Sequence, residues 1–296
     1  MDENYRWLGM SGQRTIKNAI HCQGIGIHTG TVTHVELCPA PRNTGIEFHI
    51  MKDHQCVAVI PATIQYVNQS NNMRTVLQHQ GYTVETVEHL LAALAAYRID
   101  NLYIKIQGLE IPIHSGCASA WCFLLQCAGI AEQAGQKQYI SVRRTVRVHG
   151  ENASWAELSP SDYSMYRYDI DYAHPMIGQS TFEMELTTDN FIRQVSQART
   201  FGFYRDLDLI RVHGLARGVS LLNTVVFDTD SVMGSQLLWP DEPARHKVCD
   251  AVGDLSLAGH AILGKFHGHK SGHALNQLLV GKLLADSNNW RNISVY

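Results

Sequence analysis

Thr86-Val87-Glu88-His89 stands in the first third of the chain, while His246-Lys247-Val248-Cys249-Asp250 and Lys270-Ser271-Gly272-His273 stand near its end. These three stretches constrain the fold, because their side chains are useful only if opposite ends of the polypeptide meet. His89, His246 and Asp250 supply the three nitrogen or oxygen ligands that a catalytic zinc requires, with a fourth position left for water. Glu88 and His273 then remain free for proton transfer.

A chain of 296 residues, 45% of them hydrophobic, can bury a full core and fits one large domain or two of about 150 residues. Its formal net charge of -3 provides no basic face for a phosphate backbone, which argues against nucleic acid as a partner. Residues 1–10 include Asp2 and Glu3 and lack the basic start and apolar run of a secretory signal. The most apolar stretch, Leu90 to Tyr97, is too short to cross a bilayer, so the expected location is the cytoplasm. Seven cysteines without a Cys-x-x-Cys pair read as reduced thiols. Among them Cys117, Cys122 and Cys127 read as small buried residues.

Alternating apolar and polar residues predict strands at Arg14 to Ile20, Val32 to Leu37, Leu102 to Ile106 and Tyr139 to Val148. The polar, small-residue run from Ile130 to Gln138 predicts a linker. It divides the chain into domains spanning 1–133 and 138–296, each opening with strands and later carrying apolar helices. The expectation is an α+β fold of two similar domains, each a small sheet packed against helices, forming a layered sandwich with the site in the cleft between them.

Three helices carry the chemistry. The first is expected to hold Glu85 and Glu88 in its first turn, where negative charge suits the helix dipole, and to run to about Tyr97 with Leu90, Leu91 and Leu94 buried. The second starts at Asp241-Glu242-Pro243 and runs to about Gly259. On it His246, Asp250 and Asp254 recur every four residues and form one stripe. Ser271 is placed to cap the third, with His273 in its first turn. Alone, His246 and Asp250 would read as a surface ion pair and His89 as a satisfied core histidine. Glu88 favours the metal reading, since it brings a carboxylate base beside a ligand.

Longer strings carry a resemblance. Thr86 to Leu94, Ala198 to Phe203, Arg245 to Leu255 and Lys270 to Asn276, with Gly24-Ile25-Gly26-Ile27-His28-Thr29-Gly30 and Asn43-Thr44-Gly45-Ile46, resemble the UDP-3-O-acyl-N-acetylglucosamine deacetylases, lipid A pathway enzymes of Gram-negative bacteria. The resemblance runs from about Gln13 to Gln277. It implies zinc on His89, His246 and Asp250, with Glu88 as general base and His273 as general acid. Iron(II) is an alternative metal for such a ligand set.

The same resemblance implies that Thr200 donates to the developing oxyanion and that Asp254 partners His273. It places Lys247, Lys270, Phe201 and His28 on the substrate, a UDP-linked acylated amino sugar, and makes residues 203–222 an insert forming a passage for the acyl chain. A monomer with at most transient contact with a membrane surface is implied as well. Two departures stand out. Ser115, in Ile111-Pro112-Ile113-His114-Ser115-Gly116-Cys117-Ala118, replaces the usual family aspartate, and Asn71-Asn72-Met73-Arg74-Thr75-Val76 lacks the cysteine often found before the first helix. The Ser115 change leaves open a diverged paralogue acting on another acetylated amino sugar. A catalytically silent metal or nucleotide-sugar binding protein is the alternative from another class.

Overall fold

The structure is a computed structural model that describes residues 12–68 and 73–295. The expectations made for residues 1–10 and for Asn71 and Asn72 lie outside the described residues. The architecture is mixed α+β, with several sheets and six helices among the described residues.

Alternation makes the strands one-sided. In Val32–Pro39, Thr33, Val35 and Leu37 are buried while Val32 and His34 face solvent, as a period of two requires. This strand belongs to a five-stranded sheet ordered Ile20–Ile25, Val32–Pro39, Leu102–Gln107, Ile46–Lys52, Gln55–Pro61. Its single parallel pair, Ile46–Lys52 with Leu102–Gln107, needs a long crossover. That crossover contains the two-stranded ribbon of Val76–His79 and Tyr82–Glu85, then helix α1 (Glu88–Ala96).

The C-terminal half builds most of an eight-stranded sheet around Ala261–His269. Residues 130–138, expected to be a linker, are instead the start of a thirteen-residue strand, Ile130–Val142. It pairs with Gly12–Ile16 through its first part and with Trp290–Val295 and Ala261–Leu263 through its second. Its polar composition has a structural cause: Glu132, Ala134 and Gln136 face outward, Gln133 Nε2 donates to Ala40 O, and Lys137 Nζ donates to Asp100. Two expected strands are each divided. Arg14 to Ile20 breaks after Ile16, where Lys17 and Asn18 donate backbone hydrogen bonds to Gly129 and Ala128, and Tyr139 to Val148 breaks between Val142 and Val146.

The remaining helices are α2 (Ser119–Ala128), α3 (Thr188–Gln194), α4 (Leu207–Val212), α5 (Glu242–Ser256) and α6 (His273–Ala285). Helix α1 starts later than expected, because Glu85 ends a strand and Thr86 turns the chain at φ 58°. Every α1 residue except Ala95 is buried, the pattern of a helix enclosed on all sides. It packs against α2 and along α5, which itself packs on α6 and on the strand Ser164–Tyr172. Gly253 permits this approach, since a Cβ there would collide with the backbone of Glu88. Ser271 does not cap α6. The turn at Lys270 (φ 49°) leaves Gly272 as the capping residue, and Ser271 Oγ donates to Asn276 Oδ1.

One continuous core, including Phe48, Trp121, Phe227 and Phe266, joins both sheets through the helices. The cysteines carry no disulfide; Cys117 and Cys122 are buried, whereas Cys127 is exposed. Among the described residues, no helix is long and apolar enough to cross a membrane.

Candidate metal centre and its cleft

Helices α1 and α5 meet where each carries its ionisable side chains. His89 Nε2 and His246 Nε2 both lie 3.4 Å from Asp250 Oδ1, and one ligand atom from each of the three residues falls within 4.8 Å of the others. The two imidazoles meet edge to face at 88°, with centroids 4.9 Å apart. His246 Nδ1 donates to Ala198 O at 3.0 Å, which leaves the Nε2 lone pair turned toward Asp250. Burial pushes the His246 pKa down to about 4, against the opposing charge of Asp250, so the ring is neutral, as a ligand must be. The Asp250 carboxyl stays ionised: burial opposes the charge, but His246 and Lys247 hold its pKa well below the usual range. Two imidazoles and a carboxylate, buried and convergent, fit a divalent cation.

Buried ionisable groups surround this cluster. Glu88 is buried and its pKa is raised by burial, with His273 and His89 opposing. Thr75 donates its backbone N–H to Glu88 Oε2 at 3.0 Å. His273 Nδ1 lies 2.9 Å from Asp254 Oδ2, while its Nε2 faces Asp250 Oδ2 at 3.9 Å. Burial would lower the His273 pKa, yet the carboxylates of Asp254, Asp250 and Glu88 outweigh it and raise the value to about 9. Asp254 is wholly buried, so it is no solvated helix charge. It accepts from Thr75 Oγ1 and Asn276 Nδ2, and Gln277 Nε2 donates to Thr75 Oγ1.

The Thr86 turn that aims Glu88 and His89 is costly for a β-branched residue. It is clamped by Glu110, which is fully buried and accepts from Thr86 Oγ1, from the backbone of His28 and Thr29, and from Thr29 Oγ1. Sequence reading missed both Glu110 and Thr75. Their partners lie in segments whose proximity no local pattern encodes. Asn276 and Gln277 had a fainter signal, three and four residues beyond His273 on the same face of α6.

The cluster opens into a cavity of about 300 Å³. Glu88, His89, His246, Asp250 and His273 line one end, with Thr200, Phe201, Lys247 and His28 around them. Leu207, Ile210, Ala216, Val219 and Val226 add an apolar lining, supplied by the 203–222 segment and its flank. Lys247 Nζ donates to Asp250 Oδ2 at 3.0 Å and sits 5.7 Å from the Phe201 ring centroid. Burial opposes its charge, but Asp250 raises its pKa and keeps it protonated. His28 is buried, with its pKa lowered to about 4 by desolvation, and its Nδ1 accepts from the Ala216 backbone at 3.4 Å.

A family profile, that of the UDP-3-O-acyl N-acetylglycosamine deacetylases, matches residues 13–285. The chain belongs to that family. Relatives named UDP-3-O-acyl-N-acetylglucosamine deacetylase, from Shewanella sp. (strain W3-18-1), Shewanella oneidensis and Shewanella baltica, are each 42% identical over 285 residues, covering 95% of this chain and 92% of theirs. Enzymes of this family are metalloenzymes, and the buried His-His-Asp group is a candidate metal site of suitable composition.

Two residues singled out through the family resemblance lie away from the cavity. Lys270 is exposed, and its Nζ pairs with Asp171 Oδ2 at 2.6 Å. Ser115 is also exposed, and its Oγ lies 3.3 Å from Cys117 Sγ.

Proposed function

We propose that this protein removes the N-acetyl group of UDP-3-O-acyl-N-acetylglucosamine by hydrolysis, releasing acetate in lipid A biosynthesis, with zinc on His89, His246 and Asp250. The observation that carries this reading is the meeting of those three ligands with Glu88 and His273 in one buried cluster, in a chain of the deacetylase family. Iron(II) suits the same ligands. Bound there, the cation supplies Lewis acidity and lowers the pKa of water.

Glu88 takes a proton from the attacking water. Its Oε2 is held by the Thr75 N–H, and its raised pKa matches it to that transfer. Thr200 donates its hydroxyl to the carbonyl oxygen as negative charge grows there. His273, protonated at neutral pH because Asp254 and its neighbouring carboxylates outweigh burial, delivers a proton to the departing nitrogen. An amine leaves readily only when protonated, and Asp254 fixes which ring nitrogen of His273 faces the substrate.

Lys247 holds the anionic part of the substrate as a point charge, and Phe201 packs against a sugar face. His28, neutral and buried, lines the same pocket. Lys270 reaches the diphosphate by releasing Asp171. The apolar lining of Leu207, Ile210 and Val219 takes the acyl chain, the role assigned to the 203–222 insert. The division at 133 and 138 separates the part that brings Glu88 and His89 from the part that brings His246, Asp250 and His273. The protein acts as a cytoplasmic monomer that touches a membrane surface at most transiently.

The test is acetate release from UDP-3-O-acyl-N-acetylglucosamine by protein purified without added metal and assayed for bound zinc and iron. Turnover that disappears on chelation and returns with zinc supports the proposal. Protein with a full complement of zinc and no turnover sinks it.

A further inference from the structure

A second cavity, of about 440 Å³, lies at the opposite ends of the two helices that build the metal centre. Its volume falls in the range of ordinary small-molecule pockets, about 300–1,000 Å³. Leu91 and Leu94 of α1, Val252 and Leu255 of α5, and Ile99 beyond α1 provide apolar walls. None of these belongs to the catalytic cavity.

One buried hydroxyl in this lining lacks an acceptor, and two cations beside it hold N–H groups that no protein acceptor takes. Tyr139 is 3% exposed and its hydroxyl is buried with no hydrogen-bond partner. Lys137, also 3% exposed, uses two of its three ammonium hydrogens, on Arg98 O at 3.0 Å and Asp100 Oδ2 at 2.9 Å. The Arg98 guanidinium, half-buried, makes no hydrogen bond or ion pair among the described residues. Arg98 stands just past the end of α1, at φ 56°. Asp100 is the carboxylate of this corner, and its Oδ2 already accepts from Arg14 N and Lys137. Glu185 also lines the cavity, but it does not figure among the charges acting on Lys137 or Tyr139.

Buried donors in native proteins are nearly always satisfied, by protein, water or ligand. Lys137, Arg98 and a phenol stand beside the single carboxylate of Asp100, while Arg14, the third cation acting on Lys137 and Tyr139, pairs with Glu132; this excess of positive charge calls for a singly charged anion, and the aliphatic walls call for a hydrocarbon chain. We propose that this cavity is a binding site for an amphiphilic carboxylic acid, its carboxylate accepting from Lys137, Tyr139 and Arg98 and its alkyl chain lying against Leu91, Leu94 and Leu255. A ligand seated there rests on the backs of α1 and α5, whose other ends carry the metal ligands.

Photolabelling tests this on the metal-loaded protein with a diazirine-bearing decanoate, followed by peptide mapping. Label is expected on peptides covering residues 91–101 and 252–263, displaced by decanoate and not by decanol. Arg98→Gln should cut that labelling about ten-fold, and Tyr139→Phe about five-fold, as loss of a charge-assisted hydrogen bond implies. Neither substitution creates a void or touches the catalytic cavity, so acetate release should stay within about two-fold of the parent. Label confined to peptides of the catalytic cavity, equal competition by decanol, or unchanged labelling in both variants overturns the proposal.

Discussion

Helices α1 and α5 and the segment 203–222 both border the catalytic cavity, and they are built in opposite ways. The helix pair is buried on nearly every side, and its ionisable residues are held by named partners: Asp250 by Lys247, His246 by Ala198, Asp254 by His273 of α6, Glu88 by Thr75. The insert leaves Leu209, Val212 and Leu222 65%, 82% and 88% exposed, and α4 buries no residue fully. Groups that transfer protons must sit within tenths of an ångström of their targets, and the groups proposed for that role lie in the most enclosed part of the core. A hydrocarbon passage needs only apolar walls, and a thin, exposed segment can supply them.

Four substitutions press on this contrast. Glu88→Ala removes the base from the rigid side, and kcat for acetate release should fall about 10³- to 10⁴-fold, the upper range for general-base catalysis. Bound metal should remain, because Glu88 is not one of the three ligands; loss of the metal together with activity would break the assignment. Gly253→Ala forces a methyl group into the Glu88 backbone and should cost about 3 kcal/mol in denaturant unfolding. A loss under about 1 kcal/mol would show that the helix pair has more slack than its packing indicates.

Asp254→Asn should lower kcat about 10²-fold and change the pH profile in a stated direction. The Asp254 carboxylate raises the His273 pKa, so without it His273 loses its proton at a lower pH. The basic limb of the profile then moves toward acid. A drop in rate with an unshifted limb would assign Asp254 a purely structural role. Leu222→Ser, on the insert, should change unfolding free energy by less than about 0.5 kcal/mol, as exposed positions do. A larger loss would mean that the insert is stiffer than its exposure implies.

Much of the centre was legible because helices write their faces in sequence. The four-residue spacing of His246, Asp250 and Asp254 places them on one stripe whatever else the chain does, and Pro243 marks where that helix begins. The start of α1 was less legible. Glu85 looks like a first-turn acid, but ladder pairing with Val76 holds it in a strand. The polar run from Ile130 to Gln138 has the composition of a linker, and it became a strand because partners distant in sequence pair with its successive stretches.

The spacing and chemistry of residue types singled out the candidate ligands, the proposed base and acid and the α+β class, since these rest on local periodicity and on what imidazole and carboxylate groups can do. Tertiary structure alone decided the Glu110 clamp under the Thr86 turn, the hold of Thr75 on both Glu88 and Asp254, the withdrawal of Lys270 to Asp171, and the corner where Arg98, Lys137 and Tyr139 meet. Each depends on contacts between residues far apart along the chain, and burial there sets the strength of a charge or an unmet hydrogen bond.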